Sequence, residues 1–100
     1  MQTPHTPHSP PTFDYRPDAL ERITRDTLAA FDEGERRVIL DLDALSKLDT
    51  DSVRGLIVLL RRSREVGGEV ALKVTRPELL RSLSVMALDR LFPMVKGFAA

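Results

Sequence analysis

The sequence contains no cysteine and no tryptophan, and only one tyrosine among its 100 residues. Without thiols there is no disulfide staple, no thiolate zinc site and no cysteine nucleophile. An excess of either charge is missing too: 15 Lys and Arg balance 15 Asp and Glu, for a formal net charge of zero. Such a balance argues against a general nucleic-acid binder and against a polybasic membrane-surface protein. No window approaches the roughly 18 unbroken apolar residues of a membrane span. The first residues lack the apolar stretch of a secretion signal, so a cytoplasmic location is the expectation. What is present, 42% apolar and 30% charged residues, suits one small domain with a modest core.

Composition divides the chain at residue 12. Residues 1–12 (MQTPHTPHSPPT) hold four prolines and polar spacers with almost nothing to bury, so they are expected to form a disordered tail. His5 and His8, the only histidines, lie in it, and no Cys, Asp or Glu there completes a metal ligand set. Residues 13–100 are expected to form a single domain. Phe13-Asp14-Tyr15 alternates like a short strand that Pro17 curtails. Asp18 and Glu21 fit a capping box before a helix carrying Leu20, Ile23, Thr24, Thr27, Leu28 and Phe31 on one face, with Gly34 as its stop.

Val38-Ile39-Leu40-Asp41-Leu42 reads as a buried strand. After a loop, the periodicity predicts a helix from about Asp51 to Val66, with Val53, Leu56, Ile57, Leu60 and Arg64 on one face and Gly67-Gly68 ending it. Val70, Leu72 and Val74 alternate with more polar neighbours, as in a half-buried strand. Pro77 suits the first turn of a third helix bearing Leu79, Leu80 and Leu83. Met86 to Phe92 is an apolar turn expected to fold back on the core, and Pro93 to Ala100 has room for one short strand. Strands alternating with helices imply an α/β layer.

The chemistry concentrates in Asp49-Thr50-Asp51-Ser52, immediately before a helix N-terminus. Free N–H groups and the positive end of the helix dipole favour negative charge there. Simple capping is the competing reading, although four capping residues in succession exceed what one cap requires. Arg54, Arg61, Arg62 and Arg64 could meet an acidic partner or a phosphate, but a solvated helix face is the commoner meaning of such a group. Catalysis has little to build on. No histidine lies in the folded part, no phosphate-binding loop motif occurs, and Gly67-Gly68 fits a helix end better. No catalytic residue, metal site or cofactor is expected.

The stretch from Arg37 to Phe92 resembles the STAS domain of bacterial anti-sigma factor antagonists. The resemblance rests on V-I-L-D-L (38–42), D-T-D-S-V-R (49–54), G-G (67–68), E-V-A-L-K-V (69–74) and A-L-D-R-L-F (87–92), in order and at the family's spacing. It implies a STAS-like α/β fold: a mixed central sheet, helices mainly on one face, and shortened N- and C-terminal elements. It also implies a noncatalytic protein-interaction domain in transcription regulation, binding a kinase-like anti-sigma partner through the 49–54 turn and the following helix.

In that family a serine in the D-S-S-G motif accepts phosphate from the partner kinase, and phosphorylation abolishes binding. Position by position, Asp49 matches the motif's acid, Thr50 its first hydroxyl, Asp51 the phospho-acceptor, Ser52 the first glycine and Arg54 the second. A carboxylate is no substrate for a serine kinase and carries one negative charge where phosphate carries about 1.5 to 2. Asp51 is therefore expected to supply fixed charge, Thr50 and Ser52 to hydrogen-bond, and Arg54 to pair with an acidic partner residue. Short terminal elements leave strand edges open, so a homodimer or a heteromeric subunit is expected. Two other readings stay open: a cytoplasmic STAS subunit of an ABC-type phospholipid transporter, docking on its ATPase, and a nucleotide- or anion-binding module.

Overall fold

A computed structural model describes residues 9–95. Four strands, β1 (Thr12–Asp14), β2 (Arg37–Asp41), β3 (Glu69–Lys73) and β4 (Met94–Val95), alternate with three helices, α1 (Leu20–Asp32), α2 (Thr50–Glu65) and α3 (Pro77–Val85). Single 3-10 turns at Pro17–Ala19 and Leu88–Arg90 complete the path. The strands lie side by side in chain order. Every pairing is parallel, with Val38 opposite Val70 and Leu40 opposite Leu72. Among the described residues the sheet is thus parallel rather than mixed. Each strand reaches the next through a helical crossover, which returns the chain in the same direction, whereas an antiparallel neighbour needs only a hairpin.

Successive right-handed crossovers along a sheet that grows in one direction bring the helices to one face. The core agrees. Val38, Leu40, Val70 and Leu72, one alternation set of the two central strands, share a single buried cluster with Ile23 and Ala30 of α1, Leu56, Leu59 and Leu60 of α2, and Leu79 and Leu83 of α3. The other alternation set is lined by charge: Arg37 pairs with Glu69, and Lys73 Nζ lies 3.8 Å from Asp41 Oδ2. Parallel sheets are usually covered on both faces. Here cross-strand ion pairs flank Ile39 and Ala71 on the face away from the helices.

Several local expectations shift by a residue or two. His5, His8 and the other residues of 1–8 lie outside the described residues, as do positions 96–100. Thr12 already belongs to β1, and the Pro11 carbonyl accepts from the Ile39 amide at 2.9 Å, so order begins before Phe13. Asp18 is not a cap. Pro17 starts a 3-10 turn that runs straight into α1, whose first position follows Ala19 with no side-chain cap. Arg64 and Leu80 are exposed, whereas Leu88 and Phe92 fold into the core as the apolar turn implied. Gly67, at φ 77°, takes the left-handed position that ends α2, and the Gly68 amide donates back to the Ser63 carbonyl at 2.8 Å. A side chain on Gly68 would come within 2.6 Å of the Phe31 ring.

Leu40→Ala, which empties a wholly buried position, is expected to cost about 2–5 kcal/mol of unfolding free energy in urea titrations. Ala87 holds φ at 59° without being glycine. Ala87→Gly should therefore raise stability by up to about 1 kcal/mol in the same assay.

Candidate functional site

In a parallel sheet the loops leaving the carboxyl ends of the strands gather on one side, where ligands and partners are commonly met. The loops after β2 and β3 do so here and are stitched together. Asp43 accepts from the Thr75 amide at 2.9 Å and from its hydroxyl at 2.8 Å. Arg76 Nη1 donates to the carbonyls of Asp43 and Leu45, and Nη2 meets Glu78 at 2.8 Å. Leu45 and Leu48 are buried beneath. The loop that delivers Asp49 is therefore braced from behind by the start of α3.

Asp49 is the N-cap of α2. Its extended backbone turns the chain into the helix, and Oδ1 accepts from the Ser52 amide at 2.9 Å. Hydrogen bonds from the Ser52 amide, and then from its hydroxyl, hold the Asp49 carboxyl below its ordinary value. For Asp43, burial pushes the carboxyl up, but the bonds from Thr75 and the nearby Arg76 amide and Lys73 charge bring it below the usual value. Tyr15 lies under the turn, wholly buried, with its hydroxyl donating to the Ser52 carbonyl at 2.8 Å. Burial, with the Asp49 charge adding to it, pushes that phenol up to about 12.

The five residues singled out in the sequence are contiguous but face different ways. Asp51 points outward, its side chain 81% exposed, with Arg54 Nη1 3.9 Å away and 72% exposed. Thr50 is also exposed. Ser52 is not: at 1% exposure it faces the core, so it is not available to hydrogen-bond a partner. Thr50 is the accessible hydroxyl of the turn. Asp49 is occupied with its cap.

Beside the turn runs a groove of about 610 Å³, lined by Leu48, Val53, Ile57 and Met86 and edged by Asp49, Arg54 and Arg61. Val53 and Ile57 are only half-buried, because α2 turns Ser52, Gly55, Leu56, Leu59, Leu60 and Ser63 to the core. Val85 and Met86, at the end of α3, extend the exposed apolar surface, Val85 at 80% exposure. Sequence reasoning placed Met86 in the core, read Tyr15 only as part of a strand, and gave Asp43, Thr75 and Arg76 no part in bracing the turn. A wider groove of about 740 Å³ between α1 and α2, lined by Leu20, Thr24, Leu28 and Val58, holds no residue of the Asp49–Arg54 turn. Among the described residues no group of three or more His, Asp or Glu could hold a metal ion. No helix among them is long and apolar enough to cross a membrane.

The pattern of the STAS domain family matches residues 19–99, which include the Asp49–Arg54 turn, α2 and the loops behind it but not Tyr15. The chain belongs to the STAS domain family. Among curated proteins, this STAS domain is similar to the putative anti-sigma factor antagonist BtrV of Bordetella bronchiseptica, 28% identical over 77 residues. That alignment covers 77% of this chain and 66% of BtrV, a little under two thirds of the relative. Among solved structures it resembles the NMR structure of the protein TM1081. The TM-score is 0.65 at 17% identity, over 96% of this chain and 87% of the other, a likeness of fold.

The two carboxylates and the phenol respond to pH in opposite senses. Folded values below the ordinary 3.8 mean that the stability contributed by Asp43 and Asp49 is complete above that value and lost as pH falls through the lower folded values. A folded value above 10.0 means that Tyr15 contributes fully below pH 10.0 and loses that contribution as pH rises through about 12. Urea midpoints should therefore drop at both extremes. Asp43→Asn should flatten the acid limb and leave the alkaline one.

Proposed function

We propose that this STAS domain is a noncatalytic protein-interaction module of the anti-sigma factor antagonist type. In this reading it acts in cytoplasmic transcription regulation and binds a kinase-like anti-sigma factor through the Asp49–Arg54 turn and α2. The observation that carries the reading is Asp51, a carboxylate standing fully outward at the mouth of α2 beside an apolar groove rimmed by Arg54 and Arg61. A groove with apolar floor and charged rim suits a partner side chain flanked by acids.

In this reading Asp51 takes the place of the motif's phosphorylatable serine. It carries less charge than a phosphoserine, yet it is permanent, so the module is not switched by phosphorylation at that position. Arg54 draws part of the charge toward itself and offers its remaining donors to an acidic partner residue. The similarity to an anti-sigma factor antagonist supports this class of partner.

Asp51→Ser is expected to bind the anti-sigma partner about tenfold more tightly, or roughly 1.4 kcal/mol, and to take up the γ-phosphate of ATP on the new hydroxyl when that partner is a kinase. Calorimetry and phosphate incorporation measure the two effects. Unchanged affinity without phosphate uptake would overturn the placing of Asp51 at the motif's phospho-acceptor position. Stable co-purification with a transporter ATPase in place of a kinase-like protein would move the domain to lipid transport.

A further inference from the structure

Tyr15 is joined to two distant parts of the molecule at once. Its amide donates to the Asp41 carbonyl at 2.9 Å, which fixes its backbone at the carboxyl end of β2. Its side chain crosses beneath α2 and reaches the Ser52 carbonyl at 2.8 Å. Ser52 is thereby held on both sides: the amide by Asp49 and the carbonyl by Tyr15. A helical carbonyl retains a second lone pair after its backbone bond, so the phenol can be an additional donor without displacing one.

Gly55 makes the approach possible. It is the only glycine in α2, and glycine is the poorest helix former after proline. A methyl group there would overlap the Tyr15 hydroxyl oxygen and stand 3.3 Å from Leu20 Cδ1. The side chains of Tyr15 and Leu20 therefore reach α2 at a notch left by one missing side chain. A phenylalanine would fill the same core volume without needing a partner; the hydroxyl adds a directional bond to a particular turn.

We propose that Tyr15, seated in the Gly55 notch, is the positioning residue of the Asp49–Arg54 turn and fixes the orientation in which that turn meets its partner. The consequence for docking rests on the function proposed above; the latch itself does not. Amide hydrogen exchange by NMR tests it on the intact chain. Tyr15→Phe should speed exchange of the Ser52 and Val53 amides by about threefold to tenfold while leaving those of Leu59 to Ser63 unchanged. A core-filling role alone would raise exchange along the whole helix or not at all.

A double-variant cycle adds a second measurement. Gly55→Ala should destabilise the protein, and Tyr15→Phe should relieve much of that loss because removing the hydroxyl makes room for the methyl group. Should Gly55→Ala alone fail to fold, recovery of folding in the double variant carries the same meaning. Unchanged exchange at Ser52 and Val53 in Tyr15→Phe, or strictly additive costs in the double variant, overturns the proposal. Neither readout involves a partner, so failure of the docking function would appear separately, in the Asp51 variant.

Discussion

The first turn of α2 is the point on which the molecule's chemistry depends, because a helix N-terminus must find partners for amides that the helix itself cannot satisfy. One carboxylate, Asp49, meets that need through the Ser52 amide. With the cap fixed, helix phase dictates that Ser52 turns to the core while Asp51 and Arg54 turn to solvent. The same phase leaves Val53 and Ile57 half-covered, which opens the groove beside the charged turn. A cap, a charged tip and an apolar floor are thus three outcomes of one geometric choice.

Behind the turn, the braces differ in kind. The Asp43–Thr75–Arg76 cluster is polar and surface-lying, and it ties two loops at the carboxyl edge of the sheet. Tyr15 is apolar in body and polar at its tip, which suits a residue that must be buried and still address a backbone carbonyl. A partner pressing on Asp51 and Arg54 therefore meets a surface whose underlying contacts are already made. Less ordering is then required on association.

Much of this was legible in the sequence where the signal is local. The β-branched run Val38-Ile39-Leu40, the alternation through Val70 and Leu72, Pro77 and the Gly67-Gly68 pair each announce an element within a few residues. Four capping residues in a row marked the turn. The burial phase of α2 was harder, since apolar residues at 53, 56, 57, 59 and 60 fit two overlapping faces. The choice between them is made by small residues, Ser52, Gly55 and Ser63, which permit close packing but look polar or neutral on paper. The parallel sense of the sheet follows from topology, and the part played by Arg76 follows from loop closure between segments about thirty residues apart, as does Tyr15 reaching Ser52. No single-residue pattern encodes such meetings.

Two aromatic side chains close on glycines of the α2 segment: the Tyr15 hydroxyl on Gly55 near its start and the Phe31 ring on Gly68 just past its end. Both side chains come from the β1–α1 part of the chain, which therefore meets α2 at two points. Deleting one residue between Gly55 and Gly68 would bring Glu69 to the second position and press its side chain against the Phe31 ring. The reach from the charged turn to β3 is thereby gauged at both ends, and a shortened α2 would lose its fit to α1 before it lost a single helical hydrogen bond.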